Sequence, residues 1–271
     1  VVGQNIGVRR QVTAVATVLT VVAGGVGVDT AAAIYAEYQL SRHLRSATGL
    51  PFDPWVAILG FPFIPQALAH RYRELEIRAG GVDHPVVGKV ALEATMHDIG
   101  LTKASWLMLP DADLPVGKLE SRIIIDSRHL GGFIGVKDLS VGAPAADTND
   151  ATGGTTESGI SGNRGLVFTG TPTNAGFDKR VSVTVDLSVA GPEQTTLIFT
   201  PTAVVTGPNT ADQPVPNDRR AAVLGAFAAT MPGQRLPFGV RPTTEGARGS
   251  DIIIEGIDTN VTVRLDGFTQ S

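Results

Sequence analysis

Nine consecutive residues, Ala221-Ala222-Val223-Leu224-Gly225-Ala226-Phe227-Ala228-Ala229, carry no polar side chain. Asp218 is placed to cap a helix from Arg219 to Met231, and Pro232-Gly233 stops it. A helix that is apolar all round has no face to offer water. The stretch therefore predicts a helix buried on every side, with Leu224 and Phe227 as its largest groups. It is too short to cross a bilayer, which takes about 20 residues. Another part of the chain must wrap it.

Strand-like alternation supplies the wrapping. From Arg71 to Ala79 the positions Arg73, Leu75, Ile77 and Ala79 alternate with Tyr72, Glu74, Glu76 and Arg78, one set mostly apolar and the other mostly charged. Similar runs lie at Val86 to Met96, Leu119 to Asp126, Val181 to Val189, Thr195 to Val205, Asp251 to Glu255 and Val261 to Leu265. Gly256 to Asn260 reads as a hairpin joining the last two. Ser127 can cap a short helix through Ile134, and Thr102 another around Ala104 to Met108. A longer helix, capped by Asp29 or Thr30, runs to about Ser46. It has two apolar sides, Ala31, Ile34, Tyr35 and Tyr38 on one and Ala33, Leu40 and Leu44 on the other, which predicts two buried contacts.

Prolines fix one corner. In Gly60-Phe61-Pro62-Phe63-Ile64-Pro65-Gln66 neither proline can donate to a ladder, so the strand before them ends at Gly60. One or two helical turns follow. Trp55, Phe61, Phe63, Ile64 and Leu68 then gather at the turn, and with Leu224 and Phe227 they form the candidate apolar lining for an acyl chain. Arg71 and Arg73 stand where this corner gives way to a strand. If pairing begins at Arg71, both guanidiniums share a face with Leu75, joining a phosphate clamp to an apolar wall.

Composition narrows the function classes. A net charge of −4 with 18% charged residues provides no basic field for a polyanion, which speaks against nucleic acid. The chain has no cysteine, so disulfides and thiolate metal sites are excluded. No nucleophile elbow, phosphate loop or zinc-protease signature occurs, and His43, His70, His84, His97 and His129 lack metal-ligand spacing. Asp111-Ala112-Asp113 could present two carboxylates, but a solvated turn is the simpler reading. No catalytic residue, metal or cofactor is assigned. At the N-terminus, Arg9-Arg10 precede an uncharged run from Val12 to Val28, about 25 Å as a helix against a hydrocarbon core of about 30 Å. Residues 1–28 thus read as a signal peptide or an N-terminal membrane anchor, and residues 29–271 as a single domain with a flexible loop at 142–163.

GFPF at Gly60 to Phe63, Gln66, RYRE at Arg71 to Glu74 and LPFG at Leu236 to Gly239, in this order, resemble the actinobacterial LmeA family of envelope proteins. The resemblance spans about Asp29 to Phe268. It implies an α+β fold similar to the tubular lipid-binding proteins (TULIP, BPI-like), a long curved antiparallel sheet wrapped around one or two apolar helices. It further implies a phospholipid or glycolipid ligand, phosphatidylinositol or its mannosides, and support of mannan elongation of lipomannan. A membrane surface and a membrane mannosyltransferase are the implied partners, on the periplasmic side of the cytoplasmic membrane. A glycan-active enzyme and a non-binding scaffold for a mannosyltransferase remain the alternatives.

Overall fold

A computed structural model describes residues 4–101, 113–143 and 160–269, with side chains from Gly25 onward. In chain order the elements are α1 (Gln4–Thr48), β1 (Trp55–Leu59), α2 (Phe63–Ala69), β2 (Arg71–His84), β3 (Gly88–Gly100), β4 (Leu114–Ile125), α3 (Ser127–Ile134), β5 (Ser140–Gly142), β6 (Leu166–Gly170), β7 (Val181–Ala190), β8 (Thr196–Val205), α4 (Asn217–Phe227), β9 (Ala229–Met231), β10 (Thr244–Arg248) and β11 (Asp251–Val263). The helix expected around Ala104 to Met108 and most of the 142–163 segment lie outside the described residues.

The fold is α+β, built on two antiparallel sheets rather than one long wrapped sheet. The first has the order β1-β2-β3-β4-β11-β10 and the second β5-β6-β7-β8-β9. The second sheet is inserted between β4 and the returning hairpin β10–β11. Alternation along a strand tells which face is dry but not which strand lies alongside, so the division into two sheets left no mark on the sequence.

Helix α1 packs with a single stripe against β1, α2 and the C-terminal turn Leu265–Phe268. Ala36, Leu40 and Leu44 are buried, while Ile34, Tyr35 and Tyr38 on the opposite side are exposed, so the second contact expected of this helix is absent from the described residues. Polar groups fix the helix in place. The Ser41 hydroxyl donates to the Pro54 carbonyl at 2.6 Å, and Glu37 accepts from the Ile58 amide at 2.8 Å. Neither Asp29 nor Thr30 caps α1, which runs unbroken through both. Among the described residues no helix is long and apolar enough to cross a membrane.

Helix α4 corrects the expectation of a helix buried all round. Val223, Ala226 and Phe227 face the second sheet, Leu224 is half-buried, and Ala221, Ala222 and Gly225 are exposed. The outward residues are apolar in name but carry almost no side-chain area, so leaving them in water costs little. The helix begins at Asn217 after Pro216, with Asp218 in its first turn but no side-chain cap, and it ends at Phe227. Ala229 to Met231 then adds a short strand to β8.

Two smaller expectations also shift. The cap of α3 is Asp126, which accepts from the His129 amide at 2.8 Å, and not Ser127. Gly256 is not a turn but an interior position of β11. A Cβ there would lie 2.3 Å from the Arg241 carbonyl oxygen, so the glycine serves a close backbone approach, and the hairpin turn is at Gly249-Ser250.

The face of the first sheet opposite Ile77 and Ala94 carries a charge ladder, partly buried. Arg78, Glu93, Arg122 and Glu255 stand in register on β2, β3, β4 and β11. Arg122 bonds both Glu255, which is 2% exposed, and Glu120. Burial pulls the Arg122 pKa down, but the two carboxylates more than offset this and raise it. Arg122→Met would strand the Glu255 carboxylate in the interior. Urea unfolding is expected to show a loss of about 3–5 kcal/mol, most of it recovered when Glu255→Leu is added.

Candidate functional site

The proline corner is held from three directions. Gly60 closes β1 at φ 105°, where a Cβ would press on the Gln66 amide at 3.0 Å. Gln66 clips the turn: its Nε2 donates to the Gly60 and Pro62 carbonyls, and its Oε1 accepts from the Arg73 amide at 3.0 Å. Asp29 does the rest from α1. Its carboxylate oxygens accept from the Phe63 amide at 2.7 Å and the Ile64 amide at 2.8 Å, satisfying two free donors at the start of α2. The far end of α2 closes at His70 in the left-handed conformation, and the Leu101 amide donates to the His70 carbonyl at 2.9 Å. Phe63 lies in the core, its ring 6.3 Å from that of Tyr72, whose phenol is pushed above its ordinary pKa by burial.

Beside this corner a seam crosses the first sheet. Arg73, Asp98, Gly117 and Asn260 fall on one transverse row of β2, β3, β4 and β11, in line with the register but missing from the ladders. Asp98 and Asn260 both have φ 53°, and a Cβ on Gly117 would touch that of Asp98 at 3.0 Å. At the seam the alternation inverts. On one side Leu75, Met96 and Leu119 are buried, and on the other Tyr72, Ile99 and Val116, an odd number of residues away on every strand. Two consecutive positions therefore leave the core on each strand, where a regular pleat would return one of them.

A cavity of about 690 Å³ sits on this seam. Pro65, Ala69 and Val261 make its apolar part, and Ile99 and Val116, turned into the core, border it from beneath. Gln66, Asp98, Asn260 and Thr262 add polar atoms, and Arg71 and Arg73 stand at its side. Among the described residues neither guanidinium has an ion-pair partner. The volume falls within the roughly 300–1,000 Å³ common for small-molecule sites. The cavity is an open groove rather than a closed tunnel.

The nine candidate residues do not meet at one place. Arg71 and Arg73 line the cavity, but Leu75 is on the core side of the inverted alternation and does not share their face. Phe61 and Leu68 flank the corner, 61% and 77% exposed, and Ile64 is half-buried against the core. Trp55 is at the other end of β1, with the Arg78 guanidinium 4.8 Å from its ring centroid. Leu224 and Phe227 lie on α4, which packs against β7 and β8 of the second sheet and not against this corner. The Asp111 carboxylate lies outside the described residues, and no group of three or more His, Asp or Glu suited to a metal occurs among those described. Asp98, Gly117 and Asn260 escaped the sequence reading. Their signal was an Asp just past the run that ends at Met96 and an Asn closing the segment read as a hairpin, the two residue types that most tolerate a positive φ.

Removing the Asp29 carboxylate would leave two buried or half-buried amides without acceptors. Asp29→Ala is expected to destabilise the fold by about 1–3 kcal/mol in chemical denaturation, with Asp29→Asn milder because its carbonyl still accepts one bond.

A family model described as LmeA-like phospholipid-binding matches residues 27–257. No curated protein and no solved structure matches the chain. The matched span takes in the corner, the second sheet and the first sheet up to the middle of β11, stopping short of Asn260, and the chain belongs to the LmeA-like phospholipid-binding family.

Proposed function

We propose that this protein holds an anionic phospholipid at the seam, with the phosphate between Arg71 and Arg73 and one acyl chain along the apolar side of the groove. The observation that carries the reading is the pair of guanidiniums without ion-pair partners among the described residues, beside an open, half-apolar cavity, in a chain of a phospholipid-binding family. Residues two apart on a strand sit about 6.6 Å from each other, close enough for both to reach one phosphate. Arg suits this task because its planar fork matches phosphate oxygens. Asn260 and Thr262 lie across the groove and supply hydrogen-bonding groups for a polyhydroxylated headgroup such as inositol or a mannosylated inositol.

On this reading the protein works outside the cytoplasmic membrane, on its periplasmic side, with residues 1–28 as export signal or anchor. There it supports mannan elongation of lipomannan by presenting phosphatidylinositol or a phosphatidylinositol mannoside to a membrane mannosyltransferase. Whichever fate residues 1–28 have, the mature chain must keep Asp29, since the start of α2 depends on it.

Acyl burial contributes about 0.8 kcal/mol per CH₂ and does not distinguish headgroups. Selectivity should therefore fall with the arginines. The variant Arg71→Ala with Arg73→Ala is expected to weaken binding of phosphatidylinositol by about tenfold or more, as measured by lipid retention in native mass spectrometry. Binding of a neutral lipid of equal chain length should change little. An equal loss for both lipids, or none for either, would contradict the clamp.

A further inference from the structure

Apolar side chains lie exposed where α1 meets α2. Phe61 and Leu68 are 61% and 77% exposed, and Val28 on α1, one residue before the Asp29 contact with α2, is 64% exposed. The series continues along the outer side of α1 with Ile34, Tyr35 and Tyr38, all more than half exposed. Positions 28, 31, 35 and 38 follow the three- and four-residue spacing of a single helical stripe. Beyond Tyr38 the same side turns cationic. Arg42 lies 5.7 Å from the Tyr38 ring centroid and reaches its hydroxyl at 3.4 Å, and Arg45, paired with Asp53 at 3.4 Å, follows.

We infer that this corner, with the outer stripe of α1, is the surface by which the protein sits on a phospholipid bilayer, bringing the seam cavity to the headgroups. The inference rests on the phospholipid reading above and names where that lipid enters. Three features select a bilayer over a second protein chain as the occupant. The order of side chains is graded, from Phe61, Leu68 and Val28 through two tyrosines to arginines, over about 21 Å of helix from Val28 to Arg42. That is the order in which apolar, amphipathic and cationic groups lie between a bilayer interior and water. Second, α1 is unbroken from Gln4 to Thr48, so the uncharged run Val12 to Val28 leaves the domain at this corner. Third, Pro65, Gln66 and Ala69 of α2 line the cavity while Leu68 of the same helix points to solvent, so docking by Leu68 places the groove beside the membrane.

The absence of cysteine permits a direct test on the full chain. Leu68→Cys, Tyr35→Cys and Ser250→Cys, made singly, are labelled with an environment-sensitive dye. Each is mixed with phosphatidylcholine vesicles containing phosphatidylinositol and acyl-chain spin labels. Ser250 is at the turn before β11, roughly 33 Å along that strand from Asn260. Quenching at positions 68 and 35 should exceed that at 250 several-fold. Equal quenching at all three sites, or none at 68 and 35, would overturn the inference. So would a blue shift of the 68 or 35 label that grows with protein concentration and needs no vesicles, since that would mean a second copy covers the patch. Repeating the measurement with Arg71→Ala and Arg73→Ala present separates the two readings. Persistent quenching at position 35 with lost lipid retention upholds docking and the clamp together. Persistent quenching with full retention rejects the clamp alone.

Discussion

The structure turns on a carboxylate in the middle of one helix that caps another. Asp29 is 6% exposed, and a charge so placed is tolerated because both of its oxygens accept hydrogen bonds, from the Phe63 and Ile64 amides. The contact links residues 34 and 35 positions apart. It fixes α2 against α1, which sets Gln66 over Gly60 and Arg73 and leaves Pro65 and Ala69 as one wall of the groove. Phe61 and Leu68 are left outside by the same constraint, since Phe63 takes the only buried place α2 offers.

The other wall comes from the seam. A regular sheet returns every second side chain to the core, which leaves no room for a groove on a well-packed strand. Left-handed residues at Asp98 and Asn260, with Gly117 between them, invert the alternation on four strands at once, and the outward positions double. Arg71 and Arg73 remain outside on β2, while Ile99 and Val116 on the neighbouring strands are turned into the core. The polar side of the cavity thus comes from the seam and much of its apolar side from Pro65 and Ala69 of α2. Neither side requires an apolar helix at the centre of the sheet.

Much of this was legible in the sequence. The two prolines and Gly60 marked the corner, the strand runs were found, and the motifs around Phe61, Arg71 and Leu236 pointed to the right family. The failures have a common physical origin in treating local pattern as if it fixed tertiary contact. The stretch from Ala221 to Ala229 predicts burial on every side only if alanine and glycine weigh like leucine, and their exposed area is small. Gly256 looked like a turn, but its bare Cα answers to Arg241, a neighbour fifteen residues away in sequence. Asp29 has the composition of a helix start and serves as one, only for a helix that begins at Phe63. The alternation of β2 was sound from Leu75 to Ala79 and failed at Arg73, since the inversion there is imposed by Asp98 on the next strand.

The central claim is that phospholipid occupies the seam cavity beside α2. The most direct measurement is photo-crosslinking with a phosphatidylinositol that carries a diazirine near the glycerol end of one acyl chain, followed by peptide mapping of the adducts. Adducts are predicted on Pro65 to Arg73, Asp98 to Gly100, Pro115 to Gly117 and Asn260 to Thr262, the four segments that line the groove. Adducts concentrated on α4 and on β7 and β8, with none on these segments, would contradict the account.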